Sequence, residues 1–159
     1  MKIRNLIAEN PTYKLILENC ELLIYGAIFS NTIENGKNID LSAFVLSPES
    51  FVKGDFCFSL KIENALYLGS SRSATHPIYF RKLNDEIIYD TKFKNVVEAS
   101  SQNSLSGEAA FQFLTYEYVA DPLTLVEDVY KVPAATVIVV NEDLSFKLTE
   151  FALQISSCD

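Results

Sequence analysis

The clearest secondary-structure signal in this chain is the stretch Val52-Lys53-Gly54-Asp55-Phe56-Cys57-Phe58-Ser59-Leu60. From Phe56 onward, bulky apolar residues alternate with small or polar residues, which is typical of a half-buried strand. The pair Glu63-Asn64 is a turn signal, and the apolar run 65–69 follows it. The two runs and the turn therefore predict a β-hairpin.

Strand signals of the same kind recur on both sides of this hairpin. The first two-thirds of the chain is predicted to form short strands separated by turns, and apolar runs return near the end. We expect three further hairpins, namely 13–17 with 22–29, 77–81 with 86–89, and 136–140 with 146–151 across the turn Asn141-Glu142-Asp143. Asn35-Gly36-Lys37-Asn38 is expected to form a turn, and 44–46 is a short apolar run that stops at Pro48.

Helical spacing is predicted only after Asp90. Phe93, Val96 and Val97 recur at i, i+3 and i+4, which predicts one short amphipathic helix. Ser106 is the expected N-cap of a second helix. In that second helix the positions expected to face a core are Ala110, Phe111, Phe113 and Leu114. The sequence therefore predicts a single α+β domain over residues 1–159, in which strands dominate.

Composition and charge restrict the class of protein. Of the 159 residues, 48% are hydrophobic and 12% are aromatic, which is ample material for a core. The 13 basic and 21 acidic side chains give a formal charge of −8, which argues against nucleic acid as a partner because phosphate binding needs clustered Lys and Arg.

The longest apolar stretches fall short of the roughly 20 residues of a membrane-spanning helix. Because the start lacks a signal-peptide pattern, we expect a cytoplasmic protein and no membrane partner.

Residues that could carry chemistry are sparse. The widely spaced cysteines Cys20, Cys57 and Cys158 are expected to be free thiols. The single histidine, His76, has no carboxylate or thiolate at ligand spacing, so no metal site is expected. A Ser-His-Asp arrangement is formally possible, but no G-x-S-x-G segment presents a serine. The stretch 70–75, which contains Arg72, is interpreted first as a solvated loop. The aspartates Asp40, Asp55, Asp90 and Asp121 are interpreted first as turn residues.

The order of several motifs resembles that of the N-terminal domain of the asparagine synthetase family. The stretch 52–60 is similar to the family's G-x-F-A-F strand, 65–69 to its hairpin partner and 77–80 to its P-L-Y-Y motif. The later similarities, in the family's order, lie at 86–94, 106–118, 121–129 and 132–136. Together they cover residues 22–151, and their shared order carries the resemblance.

This resemblance implies a fold and an ancestral chemistry. In the family, the N-terminal domain is a class II glutamine amidotransferase of the Ntn-hydrolase fold, with two stacked antiparallel sheets between helix layers. We therefore expect an Ntn-hydrolase-like sandwich of antiparallel sheets with flanking helices, shortened at the N-terminus.

The family's residues for glutamine hydrolysis are not matched here. Its nucleophile is an N-terminal cysteine exposed by removal of Met, whereas Lys2 follows Met1 in this chain. Maturation to Cys20 is disfavoured, because the oxyanion-type segment would follow it too closely for the fold. In that segment, which resembles the family's N-G-E, Gly26 is kept while Tyr25 and Ala27 replace the Asn and Glu. The resemblance thus implies a degenerate domain without catalytic residues, whose vestigial cleft would comprise Tyr25, Gly26, Ala27, Asp55, Arg72 and Tyr79.

The resemblance also implies a role beside a synthetase. β-Lactam synthetases and lasso-peptide macrolactam synthetases lost the nucleophile and keep the domain as a scaffold. Their chemistry lies in an ATP-pyrophosphatase domain with an S-G-G-x-D-S loop, which this chain lacks. The implied function is therefore a noncatalytic scaffold domain or subunit of an ATP-dependent amide-forming enzyme. ATP and Mg would belong to the partner domain, and no cofactor is expected in this chain.

A scaffold of this kind would expose an apolar face to its partner. The candidates for this face are Tyr116, Tyr118, Val119, Leu123 and Leu125, although the same residues could be ordinary core residues.

A second hypothesis is an independent small-molecule or peptide binding module that uses the vestigial cleft. A polar pocket would favour that module, and a cleft filled by Tyr25 would favour the scaffold. The sequence leaves open whether the chain forms homo-oligomers. Of the three functions considered, an active glutaminase is the least favoured.

Overall fold

The computed structural model describes residues 2–31, 40–141 and 145–150 of the chain. The strands are β1 Lys2–Asn5, β2 Tyr13–Leu17, β3 Cys20–Asn31, β4 Val52–Ile62, β5 Ala65–Ser70, β6 Tyr79–Leu83, β7 Glu86–Asp90, β8 Val129–Lys131, β9 Thr136–Val140 and β10 Phe146–Glu150. The helices are α1 Leu41–Leu46, α2 Phe93–Glu98 and α3 Gly107–Tyr116, with a 3-10 turn at Pro48–Ser50. Strands dominate the described residues, so the predicted α+β class is confirmed. The predicted turn at 35–38, part of the turn at 141–143, Phe151 and Cys158 lie outside the described residues.

The larger sheet has six strands in the order β10-β9-β5-β4-β3-β2, and every neighbouring pair is antiparallel. It contains the predicted hairpin of β4 and β5, in which Ile62 pairs with Ala65. Glu63 closes that turn at a φ of 49°, in the left-handed region that tight turns use. The predicted pairings of β2 with β3 and of β9 with β10 are also confirmed.

The smaller sheet has four strands in the order β1-β7-β6-β8. Its predicted hairpin of β6 and β7 is confirmed, with Asn84 at a φ of 53° in the turn. The expected antiparallel sheets are confirmed, with one exception at the edge, where β1 runs parallel to β7 with Ile3 opposite Ile87. About half of the chain separates these two strands, so no short turn imposes an antiparallel direction on them.

The two sheets stack face to face, with apolar side chains between them. Along β3, Leu23 and Tyr25 point into the space between the sheets, while Leu22 and Ile24 point to the opposite face, as strand alternation requires. From the smaller sheet, Phe80 and Ile87 enter the same inner core. This inner core contains the buried residues Leu23, Tyr25, Cys57, Leu66, Leu68, Ile78, Phe80, Ile87, Tyr89, Val132, Ile138 and Val140.

Helices cover the two outer faces. Phe44 of α1 packs edge-on against Phe58 of the larger sheet, with ring centroids 5.0 Å apart. Phe93 of α2 packs edge-on against Tyr79 of the smaller sheet at 5.4 Å. The layers therefore run helix, sheet, sheet, helix, which confirms the expected sandwich of stacked sheets with flanking helices.

The expectation that helices appear only after Asp90 is wrong, because the apolar run 44–46 is the end of α1. Asp40 caps this helix, since its carboxylate accepts hydrogen bonds from the backbone amides of Ser42 and Ala43, each at 3.0 Å. α1 is as short as α2, but its residues 43–46 are all apolar, so no alternation of apolar and polar positions marks a helical period.

Asp90, interpreted from the sequence as a turn residue, is the buried last residue of β7. Its carboxylate accepts hydrogen bonds from the backbone amide of Lys92 at 2.8 Å and from the Asn95 side chain at 2.7 Å. These bonds connect the end of β7 to the first turns of α2.

Two of the three cysteines lie in the described residues, and both are buried and free, as predicted. Cys20 begins β3, and Cys57 is fully buried between the sheets. Burial raises the pKa of the Cys57 thiol to about 12. Cys57 is therefore a structural thiol that stays protonated at physiological pH.

Candidate functional site

Four of the six residues predicted for the vestigial cleft lie on the neighbouring strands β3 and β4. Tyr25, Gly26 and Ala27 are consecutive on β3, and Asp55 on β4 is the direct partner of Ala27. Asp55 was expected first as a turn residue, but it stands within an 11-residue strand. The pairing of β3 with β4 therefore brings the N-G-E-like segment beside a carboxylate.

Two glycines with positive φ flank this pair of residues. Gly26 has a φ of 120° and Gly54 a φ of 145°, a backbone conformation that is unfavourable for residues with a side chain. A Cβ atom on Gly26 would lie 2.3 Å from the Asp55 carbonyl oxygen, and one on Gly54 would lie 2.2 Å from that of Ala27. Both positions therefore require glycine, and the two strands approach closely around Asp55.

Asp55 is the centre of a polar cluster that also contains Ser71, Ser73 and His76; we call these four residues the Asp55 cluster. Oδ1 of Asp55 accepts hydrogen bonds from the Ser73 hydroxyl and, at 3.1 Å, from the Ser71 hydroxyl. Oδ2 lies 3.0 Å from Nδ1 of His76. Ser71 is buried, and its oxygen also accepts the backbone amide of Phe56 at 3.1 Å. The carboxylate is thus held by three side-chain donors.

These contacts determine the charge of Asp55. Partial burial would raise its pKa, but the hydrogen bonds from Ser73, His76 and Ser71 and the positive charge that His76 can carry outweigh burial and lower it. Asp55 is therefore ionised at neutral pH and accepts the Nδ1 proton of His76. This bond favours the tautomer in which Nε2 of a neutral imidazole is free to accept a proton.

The Asp55 cluster contains the His-Asp pair of a Ser-His-Asp triad, but neither of its serines is hydrogen-bonded to the imidazole as a nucleophile would be. The hydroxyls of Ser71 and Ser73 bond to the carboxylate and to each other, whereas a triad serine bonds to the imidazole. The expectation that no carboxylate lies near His76 is wrong, because Asp55 reaches it from 21 positions away. The signal in the sequence is only the crowding of hydroxyl residues before the lone histidine in 70–76.

Arg72, another predicted cleft residue, forms an ion pair with Glu49 of the 3-10 turn. Its Nε atom lies 2.6 Å from one Glu49 oxygen, and its backbone amide donates to the other at 3.0 Å. The internal carboxylate thus occupies the position that an anionic ligand of Arg72 would take.

Tyr25 belongs to the inner core and makes none of the hydrogen bonds of the Asp55 cluster. Its side chain is buried in the inner core, and its hydroxyl accepts a hydrogen bond from the Asn5 side chain at 3.3 Å. Burial raises the pKa of Tyr25, so the hydroxyl is neutral at physiological pH. Tyr25 therefore fills space between the sheets and connects β3 to the N-terminal strand.

Tyr79, the last predicted cleft residue, lies elsewhere. It packs on Phe93 at the outer face of the smaller sheet and lines a groove of about 460 Å³, which we call the aromatic groove. The residues that line the aromatic groove are Tyr79, Phe93, Phe113, Glu117, Tyr118, Val119, Asp121, Leu123, Thr124, Leu125 and Lys131. Four of the five residues predicted for a partner interface, Tyr118, Val119, Leu123 and Leu125, therefore line the same groove as Tyr79. Tyr116 lies next to it at the end of α3 and is exposed.

The expectation that α3 points its large apolar side chains into a core is wrong. Phe111 and Leu114 are 64% and 83% exposed, and Phe113 is half exposed where it lines the aromatic groove. Ala109 is the buried residue of this helix, and Ala110 is half-buried. Helical periodicity marks an apolar stripe but cannot tell whether the stripe meets a core or a partner.

A separate cavity of about 400 Å³ lies at the β2–β3 turn, with Cys20, Asn19 and Lys61 among its lining residues. It contains no member of the Asp55 cluster. In the described part of the chain, no three His, Cys, Asp or Glu side chains are grouped so that they could hold a metal ion. Nor does any described helix have the length and apolar character needed to cross a membrane.

The chain is similar in sequence to one known protein described here and in structure to another. No family model matches the chain. The glutamine-hydrolysing asparagine synthetase 1 of Bacillus subtilis strain 168 is 26% identical over 102 residues, which cover 62% of this chain and 16% of the synthetase. The glutamine phosphoribosylpyrophosphate amidotransferase from B. subtilis, in complex with ADP and GMP, matches with a TM-score of 0.45 and 12% identity, over 89% of this chain and 31% of that one. A structural likeness at that level says nothing about chemistry, so the sequence match is the informative one. It confirms the resemblance of this chain to the asparagine synthetase family.

Proposed function

We propose that this chain is a noncatalytic amidotransferase-like domain of an asparagine-synthetase-like enzyme that forms amide bonds at the expense of ATP. The similarity to an asparagine synthetase supports this proposal, and the matched segment spans 16% of that relative. The remaining chemistry would belong to an ATP-pyrophosphatase domain, elsewhere in the polypeptide or on a separate subunit. That domain would bind ATP and Mg, as in β-lactam and lasso-peptide macrolactam synthetases.

The burial of Tyr25 carries the proposal. Its position resembles that of the family's oxyanion-hole asparagine, yet its side chain packs between the sheets and bonds to Asn5. Ala27, in the position of the glutamine-binding glutamate, offers no polar group. Loss of a single oxyanion donor costs about 10²–10³ in rate, so this segment is unsuited to glutamine hydrolysis.

The proposed partner surface is the aromatic groove with the neighbouring Tyr116. Tyr116 and Tyr118 are 69% and 62% exposed. Exposed aromatic side chains of this density are typical of binding surfaces. Their burial against a synthetase domain would explain why α3 carries an apolar stripe that meets no core in this chain.

The test is purification of the tagged chain from its native cell, followed by mass spectrometry and assays on the eluate. We expect an ATP-pyrophosphatase-type synthetase at near-equal stoichiometry, and pyrophosphate release that depends on ATP, a carboxylate and an amine. Glutamine should not be hydrolysed by the chain alone. Elution of the chain by itself as a monomer, or glutaminase activity, would contradict the proposal.

A second candidate function is an independent binding module, and the Asp55 cluster is the observation that favours it. Nε2 of His76 and the hydroxyl of Ser73 form a partly exposed polar surface beside Gly26. We expect such a module to shift the His76 ring resonances in NMR when L-glutamine or a small amide is added. The shift should vanish in Asp55→Asn and persist in the distant control Asp85→Asn, and its absence in the unaltered chain would count against this candidate.

A further inference from the structure

Among the described residues, seven of the thirteen large exposed apolar side chains lie in or beside α3 and in the segment that follows it. The large exposed apolar side chains between positions 105 and 125 are Leu105, Phe111, Phe113, Leu114, Tyr116, Tyr118 and Leu125. Phe111 and Leu114 are three positions apart on α3, and Tyr118 follows shortly after the helix ends at Tyr116. Such a patch of large exposed apolar side chains indicates a binding surface.

The aromatic groove gives this patch a concave shape. Tyr79 comes from β6 and Phe93 from α2, and they meet edge-on at one side of the groove. Phe113 comes from α3, and Tyr118 and Leu125 come from the segment that follows it. Side chains from separate elements therefore form an open, mainly apolar groove that can accept the apolar face of a helix.

The groove and the stretch of chain around it have more acidic than basic side chains. Between Lys94 and Lys131 the sequence has no Lys or Arg, whereas it has the acidic residues Glu98, Glu108, Glu117, Asp121, Glu127 and Asp128. Lys131, at the groove, forms an ion pair with Asp121, with 3.3 Å between Nζ and Oδ2. Glu117 also lines the groove and adds an unbalanced negative charge. The residues that line the groove therefore have one more negative than positive charge.

We infer that the aromatic groove binds a basic amphipathic helix of a partner polypeptide. The apolar side chains of that helix, at spacings i, i+3, i+4 and i+7, enter the groove, and its Lys and Arg residues meet the acidic rim. A second copy of this chain is a poor occupant, because two acidic rims would face each other across a symmetric interface. The inference rests on the proposed function, in which the helix belongs to the synthetase partner.

The experiment uses synthetic helical peptides and the full chain, with binding followed by fluorescence anisotropy. One 18-residue peptide has Leu and Phe on one face and Lys on the other. A second has Glu in place of every Lys, and a third has the basic composition in an order without helical periodicity. We expect the basic amphipathic peptide to bind best, with a Kd that rises with salt because the rim charges are exposed.

Variants of the groove separate apolar from electrostatic contacts. Phe113→Ser removes an aromatic wall at a half-exposed site, and Phe29→Ser is its control at an 83% exposed site on β3. Glu117→Lys reverses a rim charge, and Glu18→Lys makes the same change at the distant β2–β3 turn. We expect Phe113→Ser to weaken binding about tenfold, as loss of an interface anchor does. Glu117→Lys should weaken it about threefold, and both controls should bind like the unaltered chain.

The outcomes distinguish this inference from the proposed function. Equal binding of the basic and acidic peptides, equal effects of the groove and control variants, or no binding of the basic peptide would overturn it. A concentration-dependent dimer that Phe113→Ser dissolves would show a second copy as the occupant and also overturn it. If peptide binding fails while a synthetase still co-purifies at equal stoichiometry, the docking inference is wrong and the proposed function stands. If the peptide binds as expected and no synthetase co-purifies, the groove inference stands and the proposed function is wrong.

Discussion

Nδ1 of His76 lies 3.0 Å from Oδ2 of Asp55, although 21 positions separate the two residues in the chain. β4 carries Asp55 inward, the hairpin returns along β5, and the loop that follows brings Ser71, Ser73 and His76 back over the carboxylate. Asp55 is consequently both a structural anchor for this loop and the group that orients the imidazole. The residue can be tested in each role.

Asp55→Asn should destabilise the fold at neutral pH by about 1–3 kcal/mol, because Ser71, Ser73 and His76 lose a charged acceptor. The folded pKa of Asp55 is lowered, so its contribution is present above the ordinary value of 3.8 and is lost as pH falls through the folded pKa. Urea unfolding at pH 7 and near pH 3 should therefore show a difference between the variant and the unaltered chain that shrinks in acid. The control Asp85→Asn, in the exposed β6–β7 turn, should show no such change. A difference that stays constant with pH would contradict the assignment.

Gly26→Ala should cost about 2 kcal/mol or more, because the residue has a φ of 120° and its new Cβ would lie 2.3 Å from the Asp55 carbonyl oxygen. Gly107→Ala is the matched control, since a Cβ there would meet nothing within 4 Å. Gly107 begins α3, so the alanine there should be neutral or slightly stabilising. Thermal unfolding of both variants measures the contrast, and equal midpoints would count against the close approach of β3 and β4.

Phe58→Ala should cost about 3–5 kcal/mol, because its ring is fully buried and packs against Phe44. Phe113→Ala should change the free energy of unfolding by no more than about 0.5 kcal/mol, since half of that side chain is exposed. Chemical denaturation of the two variants tests whether α3 presents a surface. A large loss for Phe113→Ala would mean that this residue supports the fold of the isolated chain.

Cys57 should resist alkylation in the folded chain, because the thiol is fully buried and its pKa is raised to about 12. Iodoacetamide treatment at pH 8, followed by peptide mapping, should leave Cys57 unmodified until denaturant is added. Its modification should then follow the unfolding curve. Rapid labelling under native conditions would contradict its position between the sheets.

Local patterns made most strands predictable. The alternation after Phe56, the turn at Glu63-Asn64 and the turn at Asn84 act over a few residues, so the hairpins of β4–β5 and β6–β7 follow from the sequence. The order of motifs likewise predicted the resemblance to asparagine synthetases, which the sequence match confirms. The helix α1 is not predicted from the sequence, because its apolar run 43–46 contains no polar position that would mark a helical period.

The candidate sites depended far more on the tertiary structure. Tyr79 stands one residue before the inner-core residue Phe80, and strand alternation turns it to the outer face and into the aromatic groove. Nothing in the local sequence specifies which face of β6 meets the other sheet. In the same way, the sequence assigned His76 no carboxylate partner, because the partner comes from a different strand.

The sequence by itself determined the α+β class, the hairpins and the family likeness, because these depend on residue order and on interactions between near neighbours. Only the tertiary structure decided that β1 joins β7 in parallel, that Tyr25 is buried between the sheets and that α3 leaves Phe111 and Leu114 exposed. The physical reason is that these features depend on which surfaces meet after the sheets have stacked. In the sequence, an apolar residue that packs in the core looks the same as an apolar residue that is exposed for binding to a partner.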